Sequence, residues 1–141
     1  MKRLGFFIIA AIVCSMPALG DAAGFDGSAP LLCAFTRASE CTEADGCRDA
    51  TFENVNLPRF VKIDVQKKLW TTLGESGRTT TIQSVKELDD KLIMQGAEEA
   101  REGVRDGVGW SAAIMEDSGN LVLTGSGDDV AFIIFGVCTT L

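Results

Sequence analysis

The stretch WSAAIMEDSGNLVLTG, residues 110 to 125, decides the fold class. Trp110, Ala112 and Ile114 share one parity, as the inward face of a half-buried strand requires, because successive strand side chains point to opposite faces. Ser118-Gly119-Asn120 supplies a turn, since Gly and Asn tolerate the left-handed backbone, and Leu121 to Gly125 return as a second strand. The stretch predicts an antiparallel hairpin.

The neighbouring segments continue the pattern. GSGDD, residues 125 to 129, is a second glycine-rich turn, and VAFIIFGVC, residues 130 to 138, is apolar on both faces, which predicts a central or covered strand. Upstream, the charged, glycine-interrupted run 98–109 reads as a loop with one helical turn at its start. Strands are expected over 81–85 and 91–97, joined through Asp89-Asp90, with a helix over 84–94 as the competing reading. In FVKIDVQKKLWTTL, residues 60 to 73, Val61, Ile63, Val65, Leu69 and Leu73 share one parity, while Lys62, Asp64, Gln66 and Lys68 share the other. That alternation predicts one half-buried strand with Phe60 and Trp70 on its polar face. Residues 31–38 read as a short strand and 39–59 as an acidic, irregular segment.

These elements predict a mainly β protein, an antiparallel meander of about six to eight strands that closes into a small barrel or a compact sandwich. One short helix, over 84–94 or 97–106, belongs to the alternative of a single sheet packed on a helix. The chain divides into a secretory signal (1–20), a flexible amino-terminal lead (21–30) and a single β-rich domain (31–141). The signal reading rests on Lys2 and Arg3, the apolar run Leu4 to Val13, and the small-residue pattern Ala18-Leu19-Gly20. The apolar run falls short of the roughly 20 residues that span a bilayer. Cys14 lacks the small residue before it that a lipoprotein signal would carry, since Val13 stands there.

Without Lys2 and Arg3 the chain keeps 11 basic against 20 acidic residues, a net charge near −9. Such a surface repels nucleic acid, because phosphates need a basic stripe to neutralise them. It suits a basic envelope or cell-wall protein as partner, in a periplasmic or extracellular setting.

Four cysteines remain after the signal, and an even number in a short exported chain predicts two disulfides. The favoured pairing is Cys41–Cys47, closing the ring CTEADGC, with Cys33–Cys138 tying the start of the domain to its last strand. Cys33–Cys41 with Cys47–Cys138 is the rival. The spacing contains no CxxC pair and the chain no histidine, which removes the usual zinc and dithiol signatures and every imidazole base. No metal or cofactor is expected.

Carboxylates are the remaining chemistry: Asp64, Glu116 with Asp117, and Asp128 with Asp129. Each reads more simply as a solvated or turn residue. Glu43, Asp45, Asp49 and Glu53 do not follow an EF-hand spacing. The polar face Lys62, Gln66 and Lys68 beside Trp70 is the expected recognition surface, while Trp110 reads as core. The expected function is a non-catalytic binding or structural protein, with inhibition of an envelope enzyme as one form of it. A carrier of a small apolar ligand in a barrel cavity and a carboxylate-dependent enzyme are the alternatives.

Overall fold

The computed structural model describes residues 24–75, 77–99 and 107–141. The expected signal, residues 21–23 of the lead and most of the 97–106 helix alternative lie outside the described residues.

Nine strands form one antiparallel sheet: β1 (Leu31–Thr42), β2 (Gly46–Ala50), β3 (Phe60–Asp64), β4 (Leu69–Leu73), β5 (Thr79–Glu87), β6 (Lys91–Glu98), β7 (Val108–Met115), β8 (Asn120–Ser126) and β9 (Val130–Thr140). β3 to β9 pair in sequence order, and β9 returns to β1 along its whole length, from Leu31 opposite Thr140 to Thr42 opposite Val130. This closes an eight-stranded barrel and removes the apolar edges an open sheet would expose. The other edge of β1 is divided. Leu31–Ala34 pair with β3, and Ala38–Thr42 pair with the short arm β2.

A bulge in β1 between Phe35 and Arg37 shifts the strand's parity, so that Leu31, Cys33 and Phe35 face inward before it and Ala38 after it. The interior is filled by aliphatic side chains, with Leu31, Ile63, Ile82, Leu92, Met94, Ile114 and Leu121 fully buried. Outward positions such as Lys62, Thr71, Gln95 and Thr124 are polar. Apolar side chains also stand outward, among them Phe60, Leu69, Val122, Phe135 and Val137.

Both disulfides of the favoured pairing are present, Cys33–Cys138 and Cys41–Cys47. Each joins residues directly opposite one another in register, the first across β1 and β9, the second across β1 and β2. The CTEADGC ring is therefore the tip of a hairpin, and the segment expected to be irregular after residue 38 carries the end of β1 and all of β2.

Two further expectations are corrected. Residues 60–73 are two strands, because Val65–Lys68 form a turn in which the Lys68 N–H donates to the Val65 carbonyl at 3.1 Å. Lys68 has φ 56°, and Asp64 Oδ1 accepts the Lys67 N–H at 3.0 Å. The turn resets the parity: Trp70 and Thr72 point into the barrel, while Leu69 and Leu73 turn outward. The helix alternative over 84–94 is instead the β5–β6 hairpin, and no helix occurs among the described residues. β9 is central as expected, paired with β8 and β1, and its outer face leaves Phe135 and Val137 exposed at 43% and 47%. Residues 24–30 lie against the barrel. Phe25 packs against the core, Gly27 is buried against Val65, and the Leu141 N–H donates to the Pro30 carbonyl at 2.9 Å. They close the bottom of the barrel.

Candidate functional site

Alternating connections give the barrel two ends. The loops 65–68, 88–90 and 116–119 and the chain termini lie at the bottom. The β1–β2 turn, the connections 51–59 and 127–129, and the described residues 74–75, 77–78, 99 and 107 lie at the mouth.

The mouth is where the filled interior opens. Gly96 on β6 and Gly125 on β8 flank Trp110 of β7 in register, one on each side. A Cβ on Gly96 would strike the indole of Trp110, so the missing side chain is what lets that ring lie across β6. There it meets Trp70 of β4, with ring centroids 4.9 Å apart and planes tilted by 40°. Gly125, by contrast, has no ring across it, and a Cβ there would come no closer than 3.3 Å to a neighbour. The result is a cavity of about 120 Å³ lined by Trp70, Trp110, Leu123, Gly125, Phe132 and Ile134 from the barrel, and by Val55 and Leu57 from the 51–59 loop.

That loop is held down by its own side chains. Phe52 is buried and stacks on Phe35 at 6.4 Å, and the Arg59 guanidinium sits 4.7 Å from the Phe52 ring centre on its outer side. Hydrogen bonds from Val55 N to Thr51 O (3.2 Å) and from Leu57 N to Phe52 O (2.9 Å) fix the turn that aims Val55 and Leu57 at the cavity.

Polar groups gather on the opposite lip. The Arg78 N–H donates to Thr72 Oγ1 at 2.8 Å, which places Arg78 at the rim. Its guanidinium pairs with Glu98 at 2.9 Å and donates to the Asn56 carbonyl at 3.3 Å, bridging β6 and the 51–59 loop. Outside the cavity lies a shallower depression of about 420 Å³, which shares Val55, Arg78, Glu98, Val108 and Phe132 with it and adds Glu99 and Asp128.

Charge is distributed unevenly between the ends. Among the described residues, the mouth connections and the end of β6 carry Glu43, Asp45, Glu53, Glu75, Glu98, Glu99, Asp128 and Asp129 against Arg59 and Arg78. All five described lysines, Lys62, Lys67, Lys68, Lys86 and Lys91, lie in the lower half or at the bottom. Arg37 and Arg48 on the β1–β2 arm are paired with Asp49 and Glu40.

The residues expected to form one recognition surface are not brought together. Lys62, Gln66 and Lys68 sit on the outside near the bottom, where Gln66 Nε2 donates to the Gly27 carbonyl at 3.3 Å. Trp70 is buried at 5% exposure and reaches the surface only through the mouth cavity. Sequence reasoning missed Trp110, Arg78 and Glu98 as its companions. The glycines at 96 and 125, each interrupting a strand, were the available signal for a close approach and a gap.

The candidate carboxylates occupy structural positions. Asp64 accepts the Lys67 N–H and pairs with its ammonium at 3.1 Å, and its carboxyl is held below the ordinary value chiefly by that backbone N–H. Glu116 lies at the bottom, where partial burial first, and then Glu87, Asp90 and Asp26, push its carboxyl upward. Asp129 occupies a left-handed turn position with φ 55°. Asp49, from the acidic group 43–53, is engaged by Arg37 at 2.7 Å. Among the described residues no cluster of three or more His, Cys, Asp or Glu is arranged to hold a metal ion.

No protein-family model, no curated protein and no solved structure matches the chain.

Proposed function

We propose that this is an exported, non-catalytic binding protein that engages a basic partner through the mouth of its barrel. A basic cell-wall hydrolase, held and thereby inhibited in the envelope, is the partner class that best suits the charge. The carrying observation is the mouth itself, an apolar cavity lined by two indoles, with Glu98, Glu99 and Asp128 beside it and its one lining guanidinium, Arg78, paired with Glu98. Concave apolar sites with a few convergent polar groups are the usual form of a binding site. Single-signed charge around one raises the encounter rate of an oppositely charged partner.

Export is supported by the signal-like amino terminus and by two disulfides, which persist in oxidising compartments. The filled interior weighs against the carrier alternative. A cavity of about 120 Å³ admits one side-chain-sized group, whereas enclosed small-molecule sites are commonly about 300–1,000 Å³.

The test is association kinetics with purified basic cell-wall hydrolases, and with an acidic enzyme of similar size as control. Reversing charge at the mouth (Glu75→Lys, Glu99→Lys, Asp128→Lys) should slow association with a basic hydrolase roughly tenfold at low salt. Reversal at the bottom (Glu87→Lys, Asp89→Lys, Asp117→Lys) should leave the rate within about twofold. Equal effects from the two ends, or no binding by any basic hydrolase, would reject the proposal.

A further inference from the structure

The cavity between Trp70 and Trp110 has a chemistry more specific than apolar. We infer that it receives a single cationic side chain, lysine or arginine, projecting from the basic partner. This deepens the proposed function and rests on it.

Three observations converge. The first is size. A cavity of about 120 Å³ is close to the roughly 150 Å³ that accommodates a benzene-sized group. It holds the aliphatic stem and head of one long side chain and little more. The second is the lining. Two indoles, from Trp70 and Trp110, are among the lining side chains, and an indole face is the best aromatic partner for an ammonium or guanidinium. Leu123, Phe132 and Ile134 offer apolar surface to a methylene stem, the arrangement by which lysine and arginine bury their stems while the charge stays near polar groups.

The third is the charge at the lip. Arg78 is already engaged by Glu98 at 2.9 Å and by the Asn56 carbonyl at 3.3 Å, while Glu99 and Asp128 line the depression outside it. An entering carboxylate would have to compete with Glu98 for Arg78 and would face Glu99 and Asp128. Among the described residues, an entering cation meets Glu99 and Asp128 beside an Arg78–Glu98 pair that is already closed. The lip therefore selects against anions and for cations.

Gly125 sets the depth. A Cβ there would lie 3.3 Å from Val108 Cγ1 and 3.8 Å from the Phe132 ring, so a small side chain can be accommodated. Because Gly125 lines the cavity, a larger side chain there would take up cavity space.

The protein itself supplies the reporter. Its two tryptophans both line this cavity and it has no tyrosine, so intrinsic emission reads the site alone. The oxidised mature protein is titrated with n-butylguanidinium, n-butylammonium, butyrate and butanol. Expected are a saturable change in emission with the two cations, weaker in high salt, and at least tenfold weaker responses with butyrate and butanol. Gly125→Val should abolish the cation response and lower affinity for the basic partner at least tenfold while leaving the unfolding temperature within a few degrees. Butylguanidinium should also compete with the partner for the wild-type protein, a measurement that does not depend on the variant folding.

Stronger binding of butyrate would overturn the inference in favour of an anionic ligand at Arg78. Equal binding of butanol would reduce the site to an apolar notch and overturn it as well. No response to either cation would overturn it too. If the basic partner binds but neither Gly125→Val nor butylguanidinium weakens it, the cation pocket is wrong and the mouth reading stands. If no basic partner binds the wild-type protein, the reading beneath it has failed.

Discussion

Gly96 of β6 stands directly opposite Trp110 of β7, and the indole occupies the space that a side chain on Gly96 would need. A Cβ at position 96 would lie 2.6 Å from Trp110 Cε2 and 2.9 Å from the Thr81 carbonyl oxygen. One obstacle is a large ring and the other is backbone, so neither can move cheaply. Gly96→Ala should therefore destabilise the barrel by about 1–3 kcal/mol, the usual range for overpacking. It should also displace Trp110 from Trp70 and alter the emission of the folded state. Gly125→Ala, whose Cβ would come no closer than 3.3 Å to any neighbour, the end of the Val108 side chain, should be nearly neutral in the same denaturation experiment. Equal losses for both variants would show that the indole does not depend on the notch.

The two disulfides should differ in weight although both staple neighbouring strands. Cys33–Cys138 closes a separation of 105 residues and Cys41–Cys47 one of 6. On the chain-entropy account, a loop of about 100 residues contributes about 4.7 kcal/mol and a very short one about 2 kcal/mol, before any native-state effects. The Cys33→Ala/Cys138→Ala pair should lower the denaturation midpoint markedly. Cys41→Ala/Cys47→Ala should loosen the β1–β2 arm and leave the barrel cooperative. Chemical denaturation with amide exchange distinguishes the two, and a larger loss from the second pair would reject the account.

Much of this architecture was legible because it is written locally. The β7–β8 hairpin follows from Ser118-Gly119-Asn120 between alternating strands, and the cysteine pairing follows from which strands a closed meander must join. The position of Trp70 was not legible. Val65 to Lys68 make a turn without glycine or proline, and Lys68 takes the left-handed conformation itself, so the alternation of 60–63 runs visually into 69–73 although the chain has reversed. The mouth was hidden for a different reason. Trp70, Arg78, Glu98, Trp110 and Gly125 come from different strands and connections, and only closure of the sheet assembles them.

Two carboxylates give the stability opposite slopes with pH. Asp64 is held below its ordinary value of 3.8 by the Lys67 N–H, so its contribution is present above 3.8 and lost as pH falls through the lower folded-state value. Glu116 is pushed above its ordinary value of 4.5 by burial and by Glu87, Asp90 and Asp26. The folded state then binds the extra proton, so stability declines as pH rises from 4.5 through the raised value and stays lowered above it. Glu116→Gln should raise the unfolding temperature at pH 7 and lose that advantage below 4.5. Asp64→Ala should lower the unfolding temperature at pH 7, with the gap narrowing below 3.8. Thermal scans across pH check both signs, and a Glu116→Gln advantage that grew on acidification would reverse the assignment.

The β5–β6 turn offers a test that couples backbone to charge. Asp89 and Asp90 both have positive φ, 49° and 58°, and Leu88 and Lys91 exchange hydrogen bonds of 2.9 and 3.1 Å around them. This is the two-residue turn with both central residues left-handed, for which Asn-Gly is the preferred pair. A non-glycine residue in that region carries a penalty of roughly 1–2 kcal/mol, part of which glycine returns as extra freedom in the unfolded chain. Asp89→Asn/Asp90→Gly should therefore stabilise the protein by about 0.5–1 kcal/mol. It should also remove one of the charges that raise Glu116, whose N–H donates to the Asp90 carbonyl at 3.0 Å. The stabilisation should accordingly be larger at pH 7 than below 4.5, and Glu116→Gln should gain less in this background than alone. Asp90→Asn, which keeps a side chain at the left-handed position but removes its charge, separates the two contributions. Should Asp90→Asn reproduce the whole gain at pH 7, the backbone term is absent; should it give none, Asp90 does not act on Glu116 through charge.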